Sequence, residues 1–520
     1  METTGFSIGG VVREWAERTP DSPALTEGDT TQSWRELYER SQRTAAGMVA
    51  EGVGPHDRVA FIDKNGLAYF ETLFGGSLLN AVGVAVNWRL APPEMAFVIN
   101  DAEAKLLFVA SEFLGHLEAF EGELTTVAKI VVIGGGHATH EAYEDWMARQ
   151  TPSDPFTESA PDDVSMQLYT SGTTGLPKGV MLTNTNLGGL REAARQLEIA
   201  PDSVNLVAMP LFHIGGSGWA LFGMANGVHS IVVRDIDPAL ILQLIPRHQI
   251  THAFLVPAAL LFLTMVPGVE DVDYSSLQVI AYGASPISED LLVRCIGVFR
   301  CGFYQVYGLT ETTGAVTILT PEDHLDESHR ERLRSAGRAM DGVELRIIDA
   351  ASGEDAEPGA VGEVWIRSSQ VMKGYWNKPE ATAESITGDG WFHSGDAGYL
   401  IDGYLFLHDR VKDMIVTGGE NVYPAEVENA LMKHEGVADV AVIGVPSERW
   451  GEEVKAIVVA SKDVEVTADE LITFSRTQLA GFKTPKSIDF TEALPRNPSG
   501  KILKKDLRAP FWEGKKRQVG

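Results

Sequence analysis

The sequence predicts an α/β fold, in which a large N-terminal domain of layered αβ sheets carries a small barrel-like β lobe and precedes a mobile C-terminal α+β domain. Three observations support this prediction. The chain has 520 residues, whereas single hydrophobic cores stop growing at about 250–300 residues. Helical and strand-like segments alternate over the first four hundred residues, as in layered parallel sheets. The alternation gives way after about residue 340 to strands separated by turn-rich segments.

The elements of the N-terminal region follow in order. Ser33 and Glu36 form a capping-box pattern, which predicts a helix through about Ala50. Short apolar runs rich in β-branched residues predict buried strands between helices. These runs lie at 57–62, 106–110, 129–134, 230–235 and 277–283.

The second half is predicted to contain more antiparallel structure. Strands are expected at 343–349, 362–368 and 403–409 in the barrel-like lobe, and at 438–445 and 453–460 in the last domain. Pro424 predicts a helix start that runs to about His434, and Thr467 predicts the cap of a helix that ends near Gly481. We therefore expect an N-terminal domain at 1–408, a hinge at 409–413 and a C-terminal lid domain at 414–520.

Composition restricts the partners. A formal net charge of −29 repels polyanions, so a nucleic-acid-binding role is disfavoured. Two cysteines, Cys295 and Cys301, stand in or beside an apolar run, which indicates buried, unreactive thiols and a reducing, cytoplasmic location. The N-terminus lacks a signal-peptide pattern and no transmembrane segment is expected. A homodimer is possible.

A loop at 169–179, YTSGTTGLPKG, carries the strongest chemical signal. Its hydroxyl side chains, its glycines and one lysine suit a loop that wraps nucleotide phosphates with backbone N–H groups. The Gly-Lys-Ser/Thr spacing of a Walker A loop is absent. An ordinary polar surface loop is the alternative. The residues expected to hold ATP here are Thr170, Ser171, Gly172, Thr173, Thr174 and Lys178.

Further motifs follow this loop in a fixed order. They are MPLFH at 209–213, YGAS at 282–285, YGLTETT at 307–313, GEVWIRSSQVMKGYWNKPEAT at 362–382, WFHSGD at 391–396, DRVKDMIVTGGENVYPAEVE at 409–428 and PRNPSGK at 495–501. Together they cover nearly the whole chain, and the set resembles the signatures of the adenylate-forming superfamily of AMP-forming acyl-CoA synthetases. Within it, the chain is most similar to bacterial medium- and long-chain fatty-acid–CoA ligases.

The resemblance implies a role for each matched residue in the first half-reaction. Glu311 would bind Mg²⁺, and Thr310 would donate a hydrogen bond to the α-phosphate. Lys501 would be the catalytic cation that bridges the carboxylate and the α-phosphate. Asp396 would accept the ribose hydroxyls, assisted by Arg410, for which an inter-domain ion pair is the alternative. The adenine would stack on Tyr307, beside Gly308 and opposite Gly283, Ala284 and Ser285.

The second half-reaction needs a thiol to reach the acyl-adenylate. The resemblance implies that Gly418, Gly419 and Glu420 line a tunnel for coenzyme A after rotation about a hinge at Lys412, although this segment could be a plain turn. His213 would guard the acyl pocket, or else be a hydrogen-bonded core histidine. Phe212, Gly215, Gly216 and Trp219 would line that pocket, the glycines leaving room for a bulky or long acyl group.

Three hypotheses for function follow. The first is an ATP- and Mg²⁺-dependent ligase that joins a carboxylic acid, expected to be a medium- or long-chain fatty acid, to coenzyme A; aryl or steroid-side-chain acids are open alternatives. The second is an acyl-AMP ligase that loads a carrier protein, which is disfavoured because no insertion stands between 340 and 412. The third, a non-catalytic nucleotide-binding protein, is disfavoured because Glu311 and Lys501 are both present.

Overall fold

A computed structural model describes residues 5–170, 176–285, 287–349, 352–410, 413–417, 420–447, 449–462, 464–479, 481–496 and 502–513. The chain forms two compact units. Unit 1 comprises Met1–Glu344 and Arg367–Phe392, and unit 2 comprises Leu345–Ile366 and His393–Gly520. The predicted division at 408, with a hinge at 409–413, stays a prediction.

Helices and strands alternate along the chain. The α-helices are α1 (Ile8–Arg18), α2 (Trp34–Ala50), α3 (Leu67–Leu78), α4 (Pro92–Asp101), α5 (Leu114–Phe120), α6 (Tyr143–Ala148), α7 (Asn184–Ala193), α8 (Ile214–Ala225), α9 (Pro238–His248), α10 (Pro257–Thr264), α11 (Glu289–Phe299), α12 (Pro321–Leu325), α13 (Pro379–Ser385), α14 (Pro424–Leu431), α15 (Ala468–Gln478) and α16 (Lys504–Trp512). Short 3-10 helices occupy Ser111–Phe113, Glu121–Glu123, Val269–Asp271, Thr310–Thr312 and Glu327–Arg334.

The strands are short in the first half of the chain and longer towards the end. They are β1 (Pro23–Glu27), β2 (Thr30–Ser33), β3 (Arg58–Ile62), β4 (Val82–Ala85), β5 (Ala104–Ala110), β6 (Lys129–Ile133), β7 (Glu141–Ala142), β8 (Val164–Thr170), β9 (Lys178–Thr183), β10 (Val204–Val207), β11 (His229–Val232), β12 (His252–Leu255), β13 (Val279–Gly283), β14 (Gly302–Leu309), β15 (Gly314–Leu319), β16 (Arg338–Ala339), β17 (Glu344–Ile348), β18 (Gly362–Arg367), β19 (Gly374–Tyr375), β20 (Phe392–Ile401), β21 (Tyr404–Arg410), β22 (Ile415–Thr417), β23 (Glu420–Val422), β24 (Val437–Ser447), β25 (Gly451–Ala460) and β26 (Ser487–Phe490).

Unit 1 contains two largely parallel sheets. In the first, β1, β11, β10, β12, β13 and β14 run parallel, with β2 antiparallel at one end and β15 and β16 antiparallel at the other. In the second, β8, β4, β3, β5, β6 and β7 run parallel, and β9 and β19 add antiparallel strands beyond β8. The carboxyl ends of parallel strands share an edge, where α/β proteins bind their ligands.

Unit 2 contains the long antiparallel strands β20 and β21 and a separate sheet in the order β23-β22-β25-β24, with β26 parallel to β25. Apolar side chains form a core on each face of that sheet. Helices α14 and α15 cover one face through Val427, Leu431 and Leu471. Leu507 and Phe511 of α16 pack on the opposite face, against Ile443 and Ile457.

The structure confirms the predicted α/β class and most of the predicted elements. Ser33 caps α2 in a capping box with Glu36, and α2 ends at Ala50. The predicted strand at 230–235 stops at Val232, and Arg234 just beyond it forms an ion pair with Asp63. The helix predicted to reach about His434 ends at Leu431. Within the described part of the chain, no helix is long and apolar enough to cross a membrane.

Candidate active site

The loop at 169–179 connects two antiparallel strands. Thr170 at the end of β8 is opposite Lys178 at the start of β9, and Tyr169 is opposite Gly179. A Cβ atom at Gly179 would lie 2.5 Å from the Gln167 amide nitrogen, so a larger residue here would require the Gln167 side chain to move. The predicted phosphate-binding residues Ser171, Gly172, Thr173 and Thr174 lie outside the described residues. Their roles stay predictions.

Glu311 lies in a tight turn between β14 and β15. The turn is a single 3-10 segment, Thr310–Thr312, in which the buried Thr312 hydroxyl accepts from the Leu309 N–H at 2.9 Å and donates to the Gly314 carbonyl at 2.9 Å. A Cβ atom at Gly308 would lie 1.7 Å from the Gly314 carbonyl oxygen. Only glycine allows the two strands to approach so closely, and this approach sets the direction of the turn.

The Glu311 carboxylate is held by two hydroxyl groups. The Tyr375 hydroxyl donates to Glu311 Oε1 at 3.0 Å, and the Thr170 hydroxyl donates to the same oxygen at 3.4 Å. The Met372 N–H donates to the Glu311 carbonyl at 2.8 Å. Lys178 Nζ lies 4.8 Å from the centre of the Tyr375 ring. Five residues from three distant parts of the sequence therefore cluster around Glu311 and Tyr375.

This cluster fits the expected magnesium ion. Both hydroxyl groups donate to Oε1, and within the described residues no hydrogen bond reaches Oε2. Mg²⁺ in nucleotide sites is commonly held by one or two carboxylates together with substrate phosphates. The described part of the chain has no group of three or more His, Cys, Asp or Glu side chains that could hold a metal ion. Glu311 as the ligand of Mg²⁺ stays a prediction.

The predicted adenine-binding residues lie at the carboxyl ends of neighbouring strands. Gly283 ends β13 and pairs with Val306 of β14, which places Ala284 and Ser285 beside the end of β14, where Tyr307 lies. A Cβ atom at Gly283 would lie 2.2 Å from the Val306 carbonyl oxygen. Ala284 has φ +66, a left-handed conformation that turns the chain away from the sheet.

His213 precedes α8 and is partly buried, with its Nε2 atom inaccessible to solvent. Its ring lies 4.4 Å from the Phe212 ring, and its Nε2 atom has no hydrogen-bond partner among the described residues. Burial, aided by the positive charge of Arg89, lowers the pKa of His213 to about 4. The imidazole is therefore neutral at pH 7. The role of His213 at the acyl pocket, or as a core histidine, stays a prediction.

The predicted acyl-pocket glycines need a correction. A Cβ atom at Gly216 would lie 2.1 Å from the Pro210 carbonyl oxygen, so this glycine permits close backbone packing and does not open space. At Gly215 a Cβ atom would lie 3.1 Å from the Phe254 ring. Phe254 packs 5.9 Å from Trp219, and Trp219 is buried with its indole N–H donating to the Leu206 carbonyl at 3.1 Å. Buried aromatic side chains therefore line this region.

In unit 2, Asp396 and Arg410 are directly opposite each other on β20 and β21. The Asp396 N–H donates to the Ser394 hydroxyl at 3.0 Å, and the Gly395 N–H donates to Glu363 Oε1 at 3.0 Å. Only the backbone is described for Arg410 and for Glu420 of the predicted tunnel. The predicted residues Lys412, Gly418, Gly419 and Lys501 lie outside the described residues.

Tyr375 was missed by the sequence reasoning. It lies inside the quoted motif at 362–382, but nothing in that segment indicates a partner sixty-four positions earlier. The sequence feature that could have indicated this contact is Gly374, which has φ +145 and whose Cβ atom would lie 2.7 Å from Thr382. This glycine lets β19 pair with β9, the strand that begins at Lys178.

Two protein-family models match the chain. The family model described as AMP-binding enzyme matches residues 12–376, and the model described as AMP-binding enzyme C-terminal domain matches residues 426–501. The chain belongs to the AMP-binding enzyme family. It is an ATP-dependent, AMP-forming acyl-CoA synthetase of the adenylate-forming superfamily, a class whose reaction uses Mg²⁺ and coenzyme A.

Relatives of this AMP-binding enzyme align over essentially its whole length. The fatty acid–[acyl-carrier-protein] ligase ScoC of Streptomyces coeruleorubidus is 40% identical, over 100% of this chain and 98% of the relative. Feruloyl-CoA synthase of Amycolatopsis sp is 39% identical, over 95% and 97%. The solved structure of a Mycobacterium tuberculosis fatty acyl CoA synthetase is 32% identical with a TM-score of 0.79, over 98% of this chain and 99% of that one.

Proposed function

We propose that this AMP-binding enzyme activates a medium- or long-chain fatty acid. In the first step a carboxylate oxygen attacks the α-phosphorus of ATP, the bond to the β-phosphate oxygen breaks, and pyrophosphate leaves. In the second step the thiol sulfur attacks the acyl carbon, the bond to the AMP oxygen breaks, and the thiol proton passes to solvent. The observation that supports the first step is the Glu311 carboxylate held by Thr170 and Tyr375.

The described residues suit the charge changes of the first step. Negative charge builds on the phosphates as the bond to pyrophosphate breaks, and fixed cations and donors stabilise it. Glu311 would hold Mg²⁺, which offsets that charge when bound. Lys178, ordered over the Tyr375 ring, would contact the phosphates of the leaving group. Neutral His213 adds no charge that would compete for the carboxylate.

The remaining roles rest on the resemblance. We assign Lys501 to the α-phosphate and the acid, Asp396 and Arg410 to the ribose, and Tyr307 with Gly283, Ala284 and Ser285 to the adenine. Lys412 would be the hinge of a C-terminal lid domain, and Gly418, Gly419 and Glu420 would line the thiol tunnel. A cytoplasmic location and a homodimer belong to the same proposal.

The acid is proposed from two arguments. Among the described residues around Gly215, the side chains of Phe254, Trp219 and Phe222 are apolar and buried, which suits an uncharged acyl group. The name of ScoC, the 40% identical relative, specifies a fatty acid. A second candidate, an aryl acid, is favoured by the same three aromatic rings, since aromatic pairs gain about 0.5–1.5 kcal/mol beyond area burial. The name of the 39% identical relative, feruloyl-CoA synthase, fits that candidate.

The thiol that accepts the acyl group also has two candidates, coenzyme A and a carrier protein, because ScoC is named as a carrier-protein ligase. We propose coenzyme A, because the resemblance implies that ligases loading a carrier protein have an extra insertion, and no insertion stands between 340 and 412. A panel of acids from C2 to C20, with aryl and steroid acids, should be scored for AMP release with coenzyme A and with a pantetheinylated carrier protein. Maximal release with C8–C18 acids and coenzyme A supports the proposal. Preference for an aryl acid or for the carrier protein contradicts it.

A further inference from the structure

The last helix, α16, carries a row of polar side chains spaced four residues apart. Lys504, Arg508 and Trp512 therefore lie on one face of the helix. Each contacts a different part of unit 2. Lys504 Nζ lies 2.9 Å from Glu428, Arg508 donates to Asp413 Oδ1 at 2.6 Å, and the Trp512 indole N–H donates to the Gly444 carbonyl at 2.9 Å.

The Arg508 contact is unusual in its location. Asp413 follows the proposed hinge residue Lys412 directly in the sequence and precedes β22 by two residues. The side chains of Arg508 and Asp413 are only 14% and 12% exposed. Largely buried ion pairs contribute little net stability, because desolvation offsets their attraction. A role in fixing geometry accounts better for a charged pair at this position than a role in stability.

The chain just before α16 is also fixed at its base. Arg496 and Ile502 form an antiparallel bridge, and the Leu503 N–H donates to the Pro495 carbonyl at 2.8 Å. Arg496 also contacts Asp439 at 2.5 Å. The described residues on both sides of 497–501 are therefore tied to each other and to unit 2, and Lys501 immediately precedes the second side in sequence.

We propose that Arg508 is a positioning residue for the first half-reaction. The Arg508–Asp413 ion pair joins the segment that follows the hinge position to the helix that follows Lys501. These two segments therefore keep the same relative position when the C-terminal part of the chain moves. The inference rests on the proposed role of Lys501. Without the bond, α16 loses one of the three polar contacts given above, and the start of the helix, which follows Lys501 in sequence, is held less firmly.

The test measures the two half-reactions of the full-length enzyme separately. Arg508→Ala should lower the turnover number of acid-dependent ATP–pyrophosphate exchange about tenfold, since small misplacements of a catalytic group cost this much or more. The KM for ATP and the rate of thioester formation from supplied acyl-AMP should stay within about twofold of wild type by the same reasoning. Arg508→Lys, which keeps the charge, should recover a large part of the exchange rate. Arg346→Ala removes a bidentate pair with Asp355 from the same unit and should change neither half-reaction.

A double variant decides whether Arg508 acts through Lys501. In a Lys501→Ala background, Arg508→Ala should cause no further loss of exchange, because the residue it positions is gone. Equal loss in both half-reactions, multiplicative loss in the double variant, or no loss with Arg508→Ala overturns the proposal. If Arg508→Ala does not fold, Asp413→Asn gives the same comparison. If the proposed function of Lys501 is itself wrong, Lys501→Ala alone leaves pyrophosphate exchange unchanged. That result distinguishes failure of the proposed function from failure of the Arg508 proposal.

Discussion

The Tyr375 hydroxyl donates to Oε1 of Glu311 at 3.0 Å. This bond joins β19, which sequence reasoning did not connect with the nucleotide site, to the turn between β14 and β15. In the proposed mechanism, a carboxylate oriented by two hydroxyl groups would meet a metal–phosphate complex without reorganising, and preorganisation of this kind is the main source of electrostatic catalysis.

Tyr375→Phe should therefore slow acid-dependent pyrophosphate exchange about tenfold to a hundredfold and raise the Mg²⁺ concentration needed for half-maximal rate, since a hydrogen bond to a charged group contributes about 1.5–3 kcal/mol. Titration of exchange with Mg²⁺ measures both effects. Tyr274→Phe is the matched control, because it removes a tyrosine hydroxyl that donates to the Val269 carbonyl at 2.7 Å. If the two variants behave alike, the Tyr375 bond has no part in the reaction.

Glu311→Gln should reduce exchange about 10²–10³-fold, the usual cost of losing one charge-stabilising group. The amide keeps an oxygen that can accept from Thr170 and Tyr375, so the thermal melting temperature should change little. Melting and exchange measured on the same preparation separate the two effects. An active Glu311→Gln variant would remove this residue from the metal site.

Gly308→Ala should disrupt the turn that carries Glu311, because the added Cβ atom would lie 1.7 Å from the Gly314 carbonyl oxygen. We expect exchange to fall at least about a hundredfold through misplacement of the carboxylate, with circular dichroism reporting whether the fold persists. Gly297→Ala is the control: Gly297 lies in α11 with no atom within 4 Å of an added Cβ. That change should stabilise the protein by up to about 1 kcal/mol. Normal exchange by Gly308→Ala would show that the turn tolerates the methyl group.

His213 gives a pH-dependent prediction. Burial lowers the pKa of the folded imidazole to about 4, against about 6.5 when unfolded. Between these values the unfolded state binds more protons, so the free energy of unfolding decreases as pH falls from 6.5 to 4, by up to about 3 kcal/mol for this site. The contribution of His213 to the free energy of unfolding is therefore full above pH 6.5 and is lost as pH falls from 6.5 to 4.

Urea unfolding of wild type and His213→Gln at pH 7 and pH 5 tests this prediction. The variant should lose less stability on acidification than wild type, since glutamine does not titrate. His56→Asn is the control, because His56 is 58% exposed and asparagine tolerates its left-handed backbone, φ +65. Equal acid losses in wild type and His213→Gln would show that the buried ring does not titrate as described.

Most of the fold could be predicted from local sequence patterns. The capping box at Ser33 and the β-branched runs that became β3, β5, β6, β13, β24 and β25 depend on neighbours in sequence, so they were readable. The pairing of Tyr375 with Glu311 and the contact of Gly216 with the Pro210 carbonyl depend on how distant segments pack. A glycine in a motif looks alike whether it opens a pocket or permits close packing, and only the neighbouring atoms distinguish the two.

The most direct test of the central claim is the fate of a carboxylate oxygen. The enzyme should be incubated with ATP, Mg²⁺, coenzyme A and a fatty acid labelled with ¹⁸O in its carboxylate, and the products analysed by mass spectrometry. If the acid attacks the α-phosphorus and the thiol then displaces AMP, one labelled oxygen must appear in AMP for each thioester formed, and pyrophosphate must stay unlabelled. Label in inorganic phosphate together with formation of ADP, or thioester formed with unlabelled AMP, would contradict an acyl-adenylate mechanism.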